Sequence, residues 1–361
     1  MRVLILARDP LGRTPGQRFR FEQYIGPLAE RGIAIECKPL IDTTTADILY
    51  EPRRYLRKTA VVLGGAGARL RAIAASRNYD AVLVSREGFP LGPPWVERAL
   101  RLAGVPYIFD FDDAIWIPNA SHANRLVAPL KFPRKAGLAC RWATLVTAGN
   151  RYLAQWASEF NDHVRILPTT IDTDVYRPSP PIPSDRPVIG WSGSHSTAQH
   201  LRPLMPILAD IQQRRGVRLL VIGAPPFNTE GADVEFVRWT EQDELQQLRR
   251  LDIGVMPLPD TEWARGKCGL KALQYMSLGI PTVMSPVGVN VDIAEGGAAW
   301  LAHEPAEWTA ALERLLDEPE TRTRLSEAGR RRVEERYSVV GNVQHYLEAF
   351  EEVVSLGRAG S

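Results

Sequence analysis

Short apolar runs alternate along this chain with longer stretches in which apolar residues recur every three or four positions. That rhythm predicts parallel strands covered by helices on both faces of a sheet. In the first half, residues 3–7, 34–39, 81–85, 107–111 and 144–147 read as strands. The pattern starts afresh at 188–191 and continues through 218–222, 234–236, 253–256 and 282–285. Between the two series lies PSPPIPSDRP, residues 178–187, whose five prolines fit neither a central strand nor a helix and read as a linker.

A length of 361 residues suits two domains of about 170 residues, each large enough for its own core. The expected division is an N-terminal domain over 1–177, the linker 178–187, a second domain over 188–336, and a closing helical segment over 337–361.

Composition narrows the class. Hydrophobic residues make up 45% and charged residues 24%, which describes a soluble globular protein. Cys37, Cys140 and Cys268 are widely spaced and odd in number, so neither a disulfide framework nor a zinc cluster is indicated. A reducing cytoplasm is the simplest compartment. The first strand meets Arg8 too early for a secretion signal, and no run approaches the roughly 20 apolar residues of a membrane span. The net charge of +2 hides an asymmetry: residues 1–180 carry 25 Lys/Arg against 17 Asp/Glu, and residues 181–361 carry 19 against 25. A basic first half points to an anionic partner.

The richest stretch is GKCGLKALQYMSLGIPTVMSPVGVN, residues 266–290. Gly266 and Gly269 let backbone approach a ligand, Lys267 and Lys271 supply positive charge, and 271–278 reads as one helix burying Leu273 and Met276. A helix start with free amide donors attracts anions. This stretch resembles the retaining glycosyltransferases of family 4. Two further segments carry the resemblance, LPTTIDTDVYRP (167–178) and the Arg336-Tyr337-Ser338 step into a last amphipathic helix.

The resemblance implies the GT-B fold, two Rossmann-like domains facing each other across a cleft, with the last helix crossing back onto the N-terminal domain. It also implies transfer of a sugar from a nucleoside-diphosphate sugar with retention at the anomeric carbon. No cofactor and no metal are expected. The departing diphosphate would take the acceptor's proton, leaving positioning and electrostatic stabilisation to the protein.

Two positions depart from the family pattern: Gly266 and Gln274 stand where glutamates are usual, and Gln274 keeps an amide able to hydrogen-bond a ribose hydroxyl. The departure at Gly266 leaves open a nucleotide-sugar-binding subunit without catalysis, and an epimerase of the same fold is a further alternative. A dinucleotide oxidoreductase is disfavoured because no Gly-x-Gly-x-x-Gly follows a first strand.

Ligands of open parallel sheets bind beyond the carboxyl ends of the strands. After the first strand, Gly12 permits a tight turn and Arg13 is placed to reach a diphosphate or an anionic acceptor; Arg18 and Arg20 follow, either functional or on a solvated helix face. Arg86 and Glu87, at the end of another strand, are candidates for acceptor binding or for structural pairing. Asp110, Asp112 and Asp113 invite a metal-binding Asp-x-Asp reading, discounted because the lysine-bearing stretch lies more than 150 residues downstream. Asp112, Asp113 and His122 are instead the catalytic candidates, orienting an acceptor or assisting proton transfer.

In the second half, Gly193, Ser194 and His195 form a hydroxyl- and amide-rich turn. Arg238 and Trp239 occupy the connection where the family holds its base. With Lys267, Gly269, Leu270, Lys271 and Gln274 these complete the expected donor site.

Residues 51–77 combine Arg53, Arg54, Arg57, Lys58, Arg69, Arg71 and Arg77 with Leu56, Leu63, Leu70 and Ile73. Either a peripheral contact with the cytoplasmic face of a membrane or two short helices with solvated basic faces fits them, Gly64, Gly65 and Gly67 interrupting the periodicity. Expected partners are thus a nucleotide sugar and a glycan, lipid-linked or small-molecule acceptor, with no nucleic acid.

Overall fold

A computed structural model describes residues 1–43, 45, 55–117, 132, 134–180, 182 and 184–359. Contacts divide the chain into two units, Met1–Pro168 with Asn342–Ser361, and Thr169–Gly341.

The first unit holds a six-stranded parallel sheet in the order β2-β1-β3-β4-β5-β6. Its strands are β1 (Arg2–Ala7), β2 (Ala34–Pro39), β3 (Ala81–Ser85), β4 (Tyr107–Phe111), β5 (Leu145–Ala148) and β6 (Val164–Ile166). Its helices are α1 (Pro15–Arg20), α2 (Ile25–Ala29), α3 (Tyr55–Ala75), α4 (Trp95–Leu102), α5 (Lys135–Trp142) and α6 (Arg151–Ala157). Every residue of β3, β4 and β5 is buried, as expected for strands covered on both faces. The step from β1 to β2 runs one way across the sheet and the step to β3 returns past β1, so right-handed crossovers send the helices to opposite faces and open a crevice between β1 and β3.

The second unit repeats the plan with the order β12-β11-β10-β7-β8-β9. Its strands are β7 (Val188–Ser192), β8 (Arg218–Ile222), β9 (Val234–Val237), β10 (Ile253–Met256), β11 (Thr282–Met284) and β12 (Trp300–Leu301). Helices α7 (Met205–Arg215), α8 (Glu244–Leu248), α9 (Glu262–Arg265), α10 (Leu270–Ser277), α11 (Asn290–Ile293), α12 (Pro305–Asp317) and α13 (Pro319–Arg336) connect and cover them. Here the order reverses between β7 and β10, which places this unit's crevice beside the loops that follow those two strands. One face of the sheet packs Trp191, Leu208, Ile253, Trp308 and Leu312 into a common core.

Local sequence sets several ends. Gly216, left-handed at φ 65°, closes α7, and Asn150 caps α6 by accepting from the Leu153 amide at 2.9 Å. Residues 169–177 belong to the second unit, where Arg330 donates to the Thr173 and Tyr176 carbonyls. The last helix, α14 (Val339–Ala359), serves the first unit from Asn342 onward. There Tyr346 stacks on Tyr24 with ring centroids 4.0 Å apart, and its hydroxyl donates to the Arg20 carbonyl.

The glycines at 64, 65 and 67 do not break α3, which runs unbroken for 21 residues. Gly65 lets it approach the end of β2 closely: a Cβ there would come 3.0–3.2 Å from Leu40, which would have to give by a few tenths of an ångström. Arg69, read from the sequence as part of a basic surface, is wholly buried. Leu63 and Leu70 of the same helix are exposed, while Arg53 and Arg54 lie outside the described residues. No described helix is long and apolar enough to cross a membrane.

Candidate functional site

At the reversal point of the second sheet, the turn after β7 is built around Gly193. A Cβ on Gly193 would stand 2.5 Å from the buried Trp191 ring and 2.7 Å from Lys271 Cε, so the lysine stem lies directly across bare backbone. The Lys271 ammonium sits 5.3 Å from the centre of the Trp191 ring, and Lys267 sits 4.6 Å from that of Trp263. Each ammonium thus faces an aromatic ring, an attraction that leaves its formal charge unchanged.

Gly269 precedes α10 in the left-handed conformation, φ 72°, and any Cβ there would strike Ile293 at 2.2 Å. Leu270 then opens the helix, and Gln274, one turn on, is 4% exposed with an Nε2 that makes no hydrogen bond among the described residues. A buried amide donor without a partner among the described residues is uncommon.

Tyr275 joins the two sides of the crevice. Its hydroxyl accepts from the Ser192 amide at 2.7 Å and pairs with the Ser192 hydroxyl at 2.9 Å. Burial pushes its phenol up to about 12, so it stays a neutral strut. Ser194 is held in its turn by Ser196 and Thr197, at 2.9 Å to the Ser196 hydroxyl, and His195 is exposed. His200 is pressed down to about 4 by burial, then by the nearby charges of Lys271 and Lys267. Both lysines therefore act electrostatically on His200.

On the far side of Gly193, its carbonyl oxygen would lie 2.5 Å from a Cβ on Gly223, which itself borders Trp239. The Trp239 indole donates to Glu244 at 2.8 Å, and the second Glu244 oxygen accepts from the Tyr176 hydroxyl. That buried carboxylate fixes the edge of a half-buried ring, while Arg238 is exposed.

In the first unit, the loops after β1, β3 and β4 meet. Gly12, at φ 75°, donates its amide to Glu22 at 2.8 Å, and Arg13 is half-buried in the same turn. Arg20 is not on a solvated face: it is 2% exposed and locked to Asp110 at 2.5 Å and 3.3 Å, with Thr147 donating to the same carboxylate at 2.7 Å. Asp110 is thus a structural partner.

Arg86, a non-glycine residue at φ 64°, reaches between the other two aspartates. It lies 3.4 Å from Asp112 and hydrogen-bonds Asp113, and Gly16 leaves room beside both Arg86 and Asp112. Burial, opposed by Arg86 and reinforced by Asp113, holds the Asp112 carboxyl above its usual range. Glu87 pairs with Lys135 at 2.9 Å.

The structure therefore brings Gly193, Lys267, Gly269, Leu270, Lys271 and Gln274 to one crevice, with Ser194, His195, Arg238 and Trp239 at its borders. It brings Arg86, Asp112 and Asp113 to another, with Gly12, Arg13 and Glu87 on its loops. His122 lies outside the described residues. Among the described residues no group of three His, Cys, Asp or Glu side chains is arranged to hold a metal. Sequence reasoning missed Trp191, His200, Glu244 and Tyr275. Tyr275 sits amid apolar helix positions and looks like packing, and Glu244 opens a polar helix and looks like a solvated face, until their distant partners are known.

Residues 186–318, most of the second unit, match the family model described as glycosyl transferases group 1, so this stretch is a glycosyltransferase domain. No curated protein sequence matches the chain. Among solved structures, sucrose-phosphate synthase from Thermosynechococcus elongatus superimposes with a TM-score of 0.71 at 16% identity, covering 98% of this chain and 99% of that one. The α,α-trehalose 6-phosphate synthase from Burkholderia multivorans gives 0.68 at 13% identity, covering 100% and 98%. Anabaena HepE in complex with UDP-glucose gives 0.66 at 15% identity, covering 97% and 99%. The fold is accordingly GT-B.

Proposed function

We propose that this protein is a retaining, metal-independent glycosyltransferase of family 4 that moves a sugar from a nucleoside-diphosphate sugar to a glycan, lipid-linked or small-molecule acceptor. The observation that carries the reading is the crevice between β7 and β10. There Lys271 lies across the bare Gly193 backbone, Lys267 acts with it on His200, and Gln274 holds a buried donor with no hydrogen bond among the described residues. Two cations and a helix start suit a diphosphate, and an amide one helical turn further suits a ribose hydroxyl.

Trp239, its edge held by Glu244, supports placing the base beside Gly223, with Arg238 and the 193–195 turn bordering it. Gly12, Arg13, Arg86 and Glu87 are assigned to the diphosphate and acceptor, Asp112 and Asp113 to orienting the acceptor, and His122 to assisting proton transfer. Lysines that neutralise a leaving diphosphate remove the need for a divalent ion. The exposed leucines of α3, with Arg57, Lys58 and Arg71, support a peripheral membrane contact at the cytoplasmic face, which flotation with anionic vesicles tests.

The decisive experiment is a thermal-shift screen of UDP, GDP and ADP, followed by transfer assays from the matching nucleotide sugars with and without chelator. A nucleotide that binds raises the melting temperature. If none does, the donor-site reading falls; if chelator abolishes turnover and manganese restores it, the metal-independent mechanism falls.

A further inference from the structure

The loop after β3 is gripped by two buried charges that its own sequence does not contain. Arg69, 0% exposed, leans from α3 across the carboxyl edge of the first sheet and donates from each of its three nitrogens to a backbone carbonyl. Its Nε donates to Gly88 at 2.7 Å, Nη1 to Lys38 at 2.8 Å, and Nη2 to Ala7. One guanidinium thus ties the ends of β1 and β2 to the loop that follows β3. From α4, Glu97, also 0% exposed, accepts the Gly88 amide at 2.7 Å through Oε1, while its Oε2 makes no hydrogen bond among the described residues. Both polar groups of the Gly88 residue are therefore held by charged side chains, and a Cβ on Gly88 would stand 2.6 Å from Val96.

Burying two charges is expensive, and packing alone would be served as well by apolar residues. Burial presses the Arg69 guanidinium down to about 10, opposed by the nearby Glu97 carboxylate, and burial raises the Glu97 carboxyl against the Gly88 hydrogen bond. Two residues upstream of Gly88, Arg86 takes a left-handed backbone and reaches Asp112 and Asp113. A loop free to relax would release both.

We infer that Arg69 and Glu97 are positioning residues, a clamp on Gly88 that sets Arg86 and Glu87 at the ligand edge of the first unit. Their effect on transfer rests on the acceptor-side reading of Arg86; the clamp itself does not.

The full-length variants Arg69→Met, Arg69→Lys, Glu97→Leu and Glu97→Gln test it by hydrogen exchange over residues 86–90 and 8–13, by UDP affinity, and by turnover of UDP-glucose or whichever nucleotide sugar the screen identifies. Arg69→Met and Glu97→Leu should speed exchange over 86–90 at least tenfold and slow turnover at least tenfold, with UDP affinity within twofold of the parent. Glu97→Gln, whose amide oxygen still accepts from Gly88, should restore both, which loss of general stability would not. Unchanged exchange over 86–90, or a Glu97→Gln variant as impaired as Glu97→Leu, overturns the clamp. Should the Met and Leu variants fail to fold, the Lys and Gln variants carry the comparison, Arg69→Lys being expected to loosen 86–90 measurably because an ammonium cannot span three carbonyls. Faster exchange with unaltered turnover would leave the clamp standing and overturn its role in transfer.

Discussion

Replacing Lys271 by Met tests the donor crevice most directly, because methionine keeps an unbranched stem against Trp191 and Gly193 while removing only the charge. A lysine about 4 Å from a phosphate oxygen gains roughly 4 kcal/mol at an effective dielectric of about 20. Desolvation cancels part of that, and a charge-assisted contact is worth about 1.5–3 kcal/mol net. UDP affinity, measured by calorimetry, should fall roughly 10- to 150-fold in Lys271→Met. A second readout is independent of ligand. His200 is held near 4 by burial, then by Lys271 and Lys267, so loss of Lys271 should raise its titration midpoint while burial keeps it below 6.5. Proton NMR of the ligand-free protein reads this directly. UDP affinity within twofold of the parent in both Lys271→Met and Lys267→Met would refute the assignment, and an unmoved His200 would refute the geometry.

Other outcomes follow from the same contacts. Tyr275→Phe leaves the buried Ser192 amide without its acceptor and should cost about 1–3 kcal/mol in urea unfolding; a loss below about 0.5 kcal/mol would show the strut to be dispensable. Arg20→Leu strands the Asp110 carboxylate in the first unit's interior, for which about 3–5 kcal/mol is expected, and adding Asp110→Asn should recover much of it. Because the folded-state pKa of His200 lies below its unfolded value, the unfolded chain binds the extra proton between about pH 4 and 6.5. Its contribution is therefore complete above that window and lost as pH falls through it, by about 1 kcal/mol after discounting for solvent contact. Melting temperatures from pH 7 to 4.5 should decline less in His200→Gln, and parallel curves would disprove the linkage.

Much of the architecture is legible in the sequence because buried parallel strands leave continuous apolar runs. The readings at 34–39, 81–85, 107–111, 218–222 and 253–256 coincide with β2, β3, β4, β8 and β10. Strands β6 and β12 escaped because three and two residues, half-buried or exposed at the sheet edge, leave no such run. Gly269 was legible as a position where backbone comes close, and it takes the left-handed conformation that glycine permits. Pairing between distant residues was not legible. Nothing near Arg20 in sequence points to Asp110, and nothing near Arg69 separates it from Arg71, which the same helix leaves exposed. Amphipathic period alone assigns both arginines to a polar face. Only the approach of α3 to Leu40, which Gly65 permits, turns one of them inward onto three carbonyl oxygens. Local pattern thus determined the strands, turns and glycine-bearing loops, whose physics is complete within a few residues. The partners of each buried charge were decided by tertiary structure, because a charge can be buried only where distant donors and acceptors are brought together around it.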